Sequence, residues 1–105
     1  MITSTTESIP GMKVSKILGI VRGNTVRSRN IGRDIGAAFK NLVGGEIRSY
    51  TEMLTQAREE AFNRMINDAI SLKADAVINV RFMTSNVMNG AAEMLAYGTA
   101  VKLSK

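Results

Sequence analysis

The sequence contains neither cysteine nor histidine, and this absence removes several kinds of site at once. Disulfides, cysteine–histidine zinc sites, cysteine nucleophiles and imidazole bases all depend on one of these residues. Soft heavy metals prefer thiolate, thioether and imidazole ligands, so the seven methionines are the only soft donors left. We therefore expect no soft-metal centre. Because a serine nucleophile needs a base to activate it, we also lean against an enzyme.

Aromatic residues, proline and long apolar runs are also scarce. The chain has five aromatic residues and one proline. No apolar run approaches the roughly 20 residues that a helix needs to span a bilayer. The N-terminal stretch lacks the basic region and apolar segment of a signal peptide. We expect a soluble cytoplasmic protein with no membrane partner.

The bulk composition fits one domain with a basic surface. The chain has 105 residues, of which 45% are hydrophobic and 22% are charged, so we expect a single domain over residues 1–105. The formal net charge is +5, and four arginines lie close together at Arg22, Arg27, Arg29 and Arg33. Such a patch binds phosphate-rich partners, or is simply a solvated loop. Nucleic-acid binders usually add stacking aromatics. None lies between Arg22 and Arg33, so we favour the loop and do not expect nucleic acid as the partner.

The first half of the chain contains two stretches with the composition of β-strands. Residues 2–6 are rich in β-formers and predict a short strand. Residues 14–28 form the next extended stretch. Gly23-Asn24 inside that stretch is compatible with either a hairpin turn or a bulge.

The C-terminal third predicts a β-hairpin. Residues 74–84 are rich in β-branched side chains and alternate, Asn89-Gly90 is a strong turn signal, and a last strand follows over 91–103. The residues expected on one apolar face of the first strand are Ala76, Ile78, Val80 and Phe82.

Two stretches have helical spacing. Asn30 is suited to cap a helix, and apolar residues then recur at helical intervals from Ile31 to Leu42. Ser49 and Glu52 have the form of a capping box that begins a second, long helix. The apolar stripe of that helix is predicted to be Tyr50, Leu54, Ala57, Ala61, Met65, Ala69 and Leu72. Together these elements predict an α+β fold, a small mostly antiparallel sheet with two helices packed on one face.

A double glycine, Gly44-Gly45, lies ahead of the second helix but does not make a phosphate loop. A P-loop needs a lysine followed by serine or threonine at that point, whereas this chain has Glu46, whose carboxylate would repel phosphate. The dinucleotide fingerprint is also incomplete, because no third glycine stands at the right spacing. We interpret the pair as the joint between two helices. The alternative is that the helix start at Ser49, beside Arg48, holds an anion.

Five segments together resemble one known family. They are ITSTTESIPGMKV at 2–14, LGIVRGNTV at 18–26, VGGEIRSYTEMLTQAREEAFNRM at 43–65, LKADAVINVRF at 72–82 and LAYGTAV at 95–101. In combination they resemble the YbjQ family, small prokaryotic proteins without an established function, over nearly the whole chain. The more specific pieces are Tyr50, Arg58, Ala61, the Ala-Asp-Ala-Val at 74–77 and the Gly-Thr-Ala-Val at 98–101.

The resemblance implies a fold and an assembly. It implies a dodecin-like subunit and a ring-shaped homopentamer. The family carries a heavy-metal-binding label, which the lack of cysteine and histidine argues against in this chain. The family usually has glycine where this chain has Lys73, at the end of the long helix. Either the helix ends differently here, or Lys73 adopts a mildly strained left-handed conformation.

The last strand gives its own reason to expect an oligomer. Leu95 to Val101 lacks strict polar alternation, and such a strand favours burial on both faces. Helices cover one face at most, so a neighbouring subunit is the simplest cover for the other. The alternative is that small residues such as Ala96, Gly98 and Thr99 tolerate partial exposure.

Three residues make up the candidate ligand-binding site. They are Arg33, Tyr50 and Arg58. An arginine beside an apolar stripe favours a carboxylate or an anionic ligand, and subunit interfaces in a ring create pockets. The competing interpretation is a structural ion pair with Asp34, Glu46 or Glu52.

The function predicted from these observations is a homopentameric ring that binds a small ligand or ion at its subunit interfaces. The alternative is a structural or protein-interaction assembly that uses its basic surface and binds no small ligand. Met83, Met88 and Met94 flank the last hairpin and offer thioethers for Cu(I). Methionine more often fills gaps in a core, so packing is the favoured interpretation.

Overall fold

A four-stranded sheet with a long helix on one face makes up the described part of the chain. The computed structural model describes residues 1–28, 48–88 and 90–105. The elements are β1 (Ile2–Thr3), β2 (Lys13–Ser28), α1 (Arg48–Ser71), β3 (Ala76–Met88) and β4 (Ala91–Ser104). The strand order is β1-β3-β4-β2, in which β1 is parallel to β3 and the other pairings are antiparallel. The predicted α+β class is confirmed. α1 is the second predicted helix, and the first, at 31–42, lies outside the described residues.

β2 is one unbroken strand of 16 residues. It runs straight through Gly23-Asn24, so a turn or bulge at that pair is wrong. The irregularities in its pairing with β4 occur earlier, between residues 14 and 19. A Cβ at position 23 would overlap the carbonyl oxygen of Ala61 and the main-chain nitrogen of Met65 in α1. Gly23 is therefore needed for the close approach of helix and strand.

β3 changes face at a bulge. Its register with β4 shifts after Ile78, and Asn79 has a φ of 54°, which few residues other than glycine adopt. Ala76 and Ile78 therefore belong to a cluster on the face away from α1, whereas Val80 packs in the cluster beneath α1. The prediction that these residues and Phe82 share one face is wrong, because alternation across a bulge loses its phase.

The core beneath α1 consists mainly of small and flexible side chains. The buried residues of the helix are Met53, Ala57, Ala61, Met65 and Ala69, each at most 4% exposed. All but Met53 pack in one cluster with Val21, Val77, Val80, Met94, Ala96 and Ala100 of the strands. The predicted stripe agrees along the middle of the helix. At its ends it is wrong, since Tyr50 and Leu54 are only half-buried and Leu72 is 42% exposed.

α1 ends in a left-handed residue that is not glycine. Lys73 has a φ of 60°. Its main-chain N–H donates to the carbonyl of Ile70 at 2.9 Å, and the N–H of Ala74 donates to the carbonyl of Ala69 at 3.1 Å. This is the usual way to satisfy the last carbonyls of a helix. Of the two alternatives raised by the sequence, Lys73 therefore adopts the strained conformation.

Asp75 joins the end of the helix to β4. Its carboxylate accepts the main-chain N–H of Leu103 at 2.8 Å and the Nζ of Lys102 at 3.2 Å. The Leu103 N–H, aided by the lysine, holds the pKa of Asp75 below its ordinary value. The carboxylate is thus a structural clamp between α1 and the sheet.

Candidate functional site

Of the three predicted site residues, Tyr50 is the one that lines a cavity in the described part of the chain. Tyr50 lies in the first turns of α1 and is half-buried. It faces an open cavity of about 310 Å³. The other lining residues are Asn86, Val87, Met88 and Gly90, at the end of the β3–β4 hairpin.

Arg58 lies farther along the helix and does not line this cavity. It follows Tyr50 by two turns, or about 12 Å along the axis. Its side chain is exposed and forms no ion pair with another described residue, so the predicted pair with Glu52 is not formed. Arg33 lies outside the described residues, as do the other two predicted partners, Asp34 and Glu46.

The methionines near the hairpin do not converge on a common point. Met94 is 2% exposed and packs beneath α1, where its sulfur accepts a hydrogen bond from Thr84 at 3.1 Å. Met83 precedes Thr84, the residue paired with Met94, so its side chain lies on the opposite face of the sheet. Met83 is 57% exposed and Met88 is 68% exposed. Within the described ranges no group of three carboxylates is arranged to hold a metal ion. These residues do not supply the donors that a soft heavy metal requires.

Glu60 on α1 gathers two arginines. Its carboxylate binds Arg27 of β2, accepts the Thr25 hydroxyl at 3.1 Å, and pairs with Arg64 at 2.6 Å. Arg64 also donates to the carbonyl oxygen of Asn24 at 2.5 Å. The Arg27 hydrogen bond, followed by that of Thr25, holds the pKa of Glu60 below its ordinary value. A carboxylate held ionised by so many donors is suited to fasten helix to strand, not to transfer protons.

Arg22 belongs to the predicted basic patch but is arranged differently from Arg27. Its main-chain N–H donates to Asp68 at 3.3 Å. Its guanidinium is exposed and has no ion pair among the described residues. Arg27 is therefore neutralised by Glu60, whereas Arg22 has no ionic partner in the described part of the chain.

The face of the sheet away from α1 brings Arg22 together with two residues that the sequence analysis did not connect to it. Tyr97 of β4 pairs with Arg22 of β2 on one side and with Arg81 of β3 on the other. Residues directly opposite each other on paired strands lie on the same face. The three side chains therefore form a row across the sheet. Only the register of three strands reveals it, because the residues are 16 to 75 positions apart in the chain.

The outer edge of β3 is open along most of its length. β1 pairs only with Ala76 and Val77, and the N-terminal segment reaches as far as Val80. From Arg81 to Met88, β3 has no strand on that side in the described part of the chain. The large apolar residues exposed in this stretch are Phe82, Met83, Val87 and Met88, each 42–68% exposed.

In the described part of the chain, no helix is long and apolar enough to cross a membrane.

Similarity to known proteins extends over the whole chain. The YbjQ family model, described as "Putative heavy-metal-binding", matches residues 1–104. A UPF0145 protein of Thermosipho africanus is 62% identical over 105 residues, which cover 100% of this chain and 97% of the relative. A UPF0145 protein of Archaeoglobus fulgidus is 62% identical over 103 residues, which cover 98% of this chain and 95% of the relative.

One solved structure has the same fold. It is the crystal structure of a protein of unknown function from Pediococcus pentosaceus, which belongs to the DUF74 family. The TM-score is 0.67 at 19% identity, over 99% of this chain and 98% of that one. At that identity the likeness shows the fold alone.

Proposed function

We propose that this chain, which belongs to the YbjQ family, forms a cytoplasmic homopentameric ring that binds a small ligand or ion at its subunit interfaces. The observation that carries the proposal is the open edge of β3. Over residues 81–88 the outer side of β3 has no paired strand in the described part of the chain, and four of these residues are large, exposed apolar side chains. Natural sheets usually cover or interrupt such an edge, because it adds a strand from another chain readily.

The opposite edge of the sheet supplies a partner for the open edge of β3. In the described part of the chain β2 is the last strand on that side, and its 16 residues extend about 53 Å at roughly 3.3 Å per residue. Typical strands have 5–6 residues. Pairing of two different edges is a heterologous contact, which closes into a ring when the rotation per subunit is right. The number five comes from the family resemblance, and the geometry supports head-to-tail closure of any number.

The uncovered face of β4 supports the same proposal. Met94, Ala96 and Ala100 are buried beneath α1, while Leu95 and Tyr97 are only half-buried on the other face. If the sheets of neighbouring subunits join edge to edge, the faces away from α1 all lie on the same side of the continuous sheet that results. These faces then line a common surface that is still open to small molecules.

The cavity at Tyr50 lies at the hairpin end of the same open edge. Two of its lining residues, Asn86 and Met88, belong to the unpaired stretch of β3. A strand added there would become a further wall of the cavity. Arg58, exposed and without an ion pair in the described ranges, provides a positive charge on the same helix. An anionic ligand suits this combination better than a soft metal.

A proline in the open edge tests the assembly. The N–H of Val80 points outward to Ser4, and alternation along the strand gives Thr84 the same orientation. Thr84→Pro removes an outward donor while sparing the ladder with β4. Thr84→Ala is the matched control, since it loses the same hydroxyl but keeps the N–H. We expect Thr84→Pro to sediment as a folded monomer or open chain and Thr84→Ala to keep the wild-type assembly. Equal assembly of both variants would refute pairing through this edge.

The ligand is tested separately from the ring. In Tyr50→Phe and Arg58→Gln we expect an intact ring that no longer retains a co-purified anion, as seen by mass spectrometry under native conditions. Dissociation of the ring in either variant would make these residues structural. Salt-sensitive retention on an anionic column, with no bound small molecule, would favour the alternative of an assembly that uses its basic surface.

A further inference from the structure

We infer that the row formed by Arg22, Tyr97 and Arg81 on the uncovered face of the sheet binds a mononucleotide, through its phosphate and its planar base. This site is distinct from the cavity at Tyr50. It lies within one chain and does not depend on the proposed ring.

The register fixes the geometry of the row. Tyr97 stands directly opposite Arg22 on β2 and Arg81 on β3. Opposite residues in antiparallel pairs have Cβ atoms about 4.5–5.5 Å apart. Neighbouring strands are about 4.8 Å apart, so the two arginines start about 10 Å from each other with the phenol ring between them. A ligand resting on the ring is within reach of both guanidinium groups.

Both arginines keep donors free for an anion. Arg22 has no ion pair or side-chain hydrogen bond among the described residues. Arg81 uses Nη1 to donate to the carbonyl oxygens of Thr5 and Val80, both at 2.9 Å. Its Nε and Nη2 have no hydrogen-bond partner among the described residues. The two hydrogen bonds hold the side chain of Arg81 in place without neutralising its charge, which favours binding of a phosphate.

The carboxylate on this face is already engaged. Glu93 accepts hydrogen bonds from Asn24 at 3.4 Å and from Ser85 at 3.5 Å. It stands four residues from Tyr97 along β4, or about 13 Å away. The contrast with Arg27 and Arg64 is direct, since Glu60 neutralises that pair. Among the described residues no carboxylate neutralises the charge of the row, and this favours binding of an external anion.

The surroundings of the row favour a planar ring over a bare anion. Ile20 is 75% exposed and Met83 is 57% exposed, on either side of the row, and Leu95 is half-buried beside it. The Tyr97 hydroxyl has no hydrogen-bond partner among the described residues. A nucleobase can stack on the ring of Tyr97 and cover the neighbouring apolar surface. Its polar groups can also form a hydrogen bond with the Tyr97 hydroxyl. Proteins that bind long single-stranded nucleic acids usually present several aromatic side chains on which successive bases stack. Tyr97 is the single aromatic on the described part of this face, so the site fits one nucleotide.

Fluorine NMR of fluorotyrosine-labelled protein tests the inference, because the chain has only two tyrosines. One resonance reports on Tyr97 and the other on Tyr50, and Tyr97→Phe assigns them. The probes are adenosine monophosphate, adenosine and inorganic phosphate. We expect the monophosphate to shift the Tyr97 resonance saturably and to leave that of Tyr50 unchanged. Adenosine and phosphate should each bind at least about tenfold more weakly, since each lacks one half of the recognition.

Variants separate the row from general basic charge. Arg22→Gln and Arg81→Gln should each weaken binding about tenfold, as expected for one charge-assisted contact. Lys13→Gln removes one positive charge from the same strand about 30 Å away and should leave the affinity unchanged. Circular dichroism establishes that each variant is folded.

Four results with the mononucleotide probes and variants would overturn the inference. They are no shift of Tyr97 at millimolar monophosphate, a shift of Tyr50 instead, equal binding of inorganic phosphate, and equal losses in Arg22→Gln and Lys13→Gln. Binding that strengthens steadily with oligonucleotide length would also overturn it, in favour of nucleic acid. Because the resonances of Tyr50 and Tyr97 are separate, failure of this site leaves the proposed interface site standing, and the converse holds too.

Discussion

The two faces of the sheet differ in how completely the chain satisfies them. On the face beneath α1, Val21, Ala96 and Ala100 are fully buried. The lack of a side chain at Gly23 lets the main chain of α1 approach the strand closely. On the other face, large apolar side chains such as Ile20 stand 75% exposed, and arginines lack ionic partners in the described ranges. The chain covers the first face with α1, whereas on the second face it buries only the small cluster of Ala76, Ile78 and Val101 and leaves large apolar side chains in water. The difference teaches that the chain's own packing is concentrated on the face beneath α1, whereas both proposed contacts with other molecules lie at the open edge and on the opposite face.

The covered face should break most readily at Gly23. Gly23→Ala forces a Cβ against main-chain atoms of α1, and backbone cannot move aside as a flexible side chain can. We expect a loss of about 3 kcal/mol in the free energy of unfolding, at the high end for overpacked cores. The matched control is Val26→Ala, on the same strand but 57% exposed, which should change stability by less than about 0.5 kcal/mol. Urea unfolding measures both. Similar losses in the two variants would contradict the asymmetry between the faces.

The contacts of two carboxylates, Glu60 and Asp75, which form the polar rim of the covered face, should make the free energy of unfolding depend on pH. The pKa of Glu60 and that of Asp75 lie below their ordinary values of 4.5 and 3.8. The unfolded chain therefore binds protons more readily, so the stability from these contacts is present above the ordinary values and is lost as pH falls through the lowered ones. We expect stability to decline from about pH 4.5 downward, and Glu60→Gln and Asp75→Asn each to flatten that decline. Urea unfolding between pH 3 and pH 7 is the measurement, and an unchanged slope in both variants would refute the role of the rim.

A smaller effect on stability is expected at Lys73, where α1 ends and the chain continues into the sheet. Lys73→Gly relieves a left-handed conformation that costs a residue with a Cβ about 1–2 kcal/mol, and the greater freedom of glycine in the unfolded chain offsets about 0.5–1 kcal/mol of this. The net expectation is a gain of about 0.5–1 kcal/mol, seen as a higher midpoint of thermal unfolding. Lys73→Ala keeps the Cβ and should gain little, so an equal gain in the two variants would point to the lost charge instead.

The smallest effect on the fold is expected on the uncovered face. Ile20→Ser removes a large apolar side chain that is 75% exposed, so the dissociated subunit should change in stability by no more than about 0.5 kcal/mol. Measurement at a concentration where the protein is monomeric isolates this quantity. A loss above about 2 kcal/mol would mean that Ile20 is buried within its own chain.

The sequence predicted the local elements better than their mutual arrangement. α1 was predictable because its alanines and methionines recur at helical spacing over many turns. The turn before β4 was predictable from Asn89-Gly90, and Lys73 was singled out because glycine is usual at that place in the family. The bulge at Asn79 could not be predicted, since its positive φ depends on main-chain contacts with the N-terminal segment. Gly23 was ambiguous because a glycine that admits a helix and a glycine that makes a turn look alike in a sequence.

For the candidate sites, too, the sequence indicated single residues better than their arrangement in space. Tyr50 was singled out from the helix stripe, and it does line a cavity. Arg58 does not line this cavity in the described part of the chain, so a site shared by the two residues stays a prediction. The row of Arg22, Tyr97 and Arg81 was missed, because cross-strand register is a tertiary property and the only hint was an arginine-rich segment. Residues that the fold gathers from three strands are visible only once the strands are paired.

The measurement that tests the account most directly is native mass spectrometry of the purified wild-type protein, with a denatured sample as control. The account predicts five chains per particle, with additional non-covalent mass that disappears on denaturation. A bare pentamer would support the assembly and contradict the bound ligand. A monomer at micromolar concentration would contradict the central claim, which is that the open edge of this sheet is completed by further copies of the same chain.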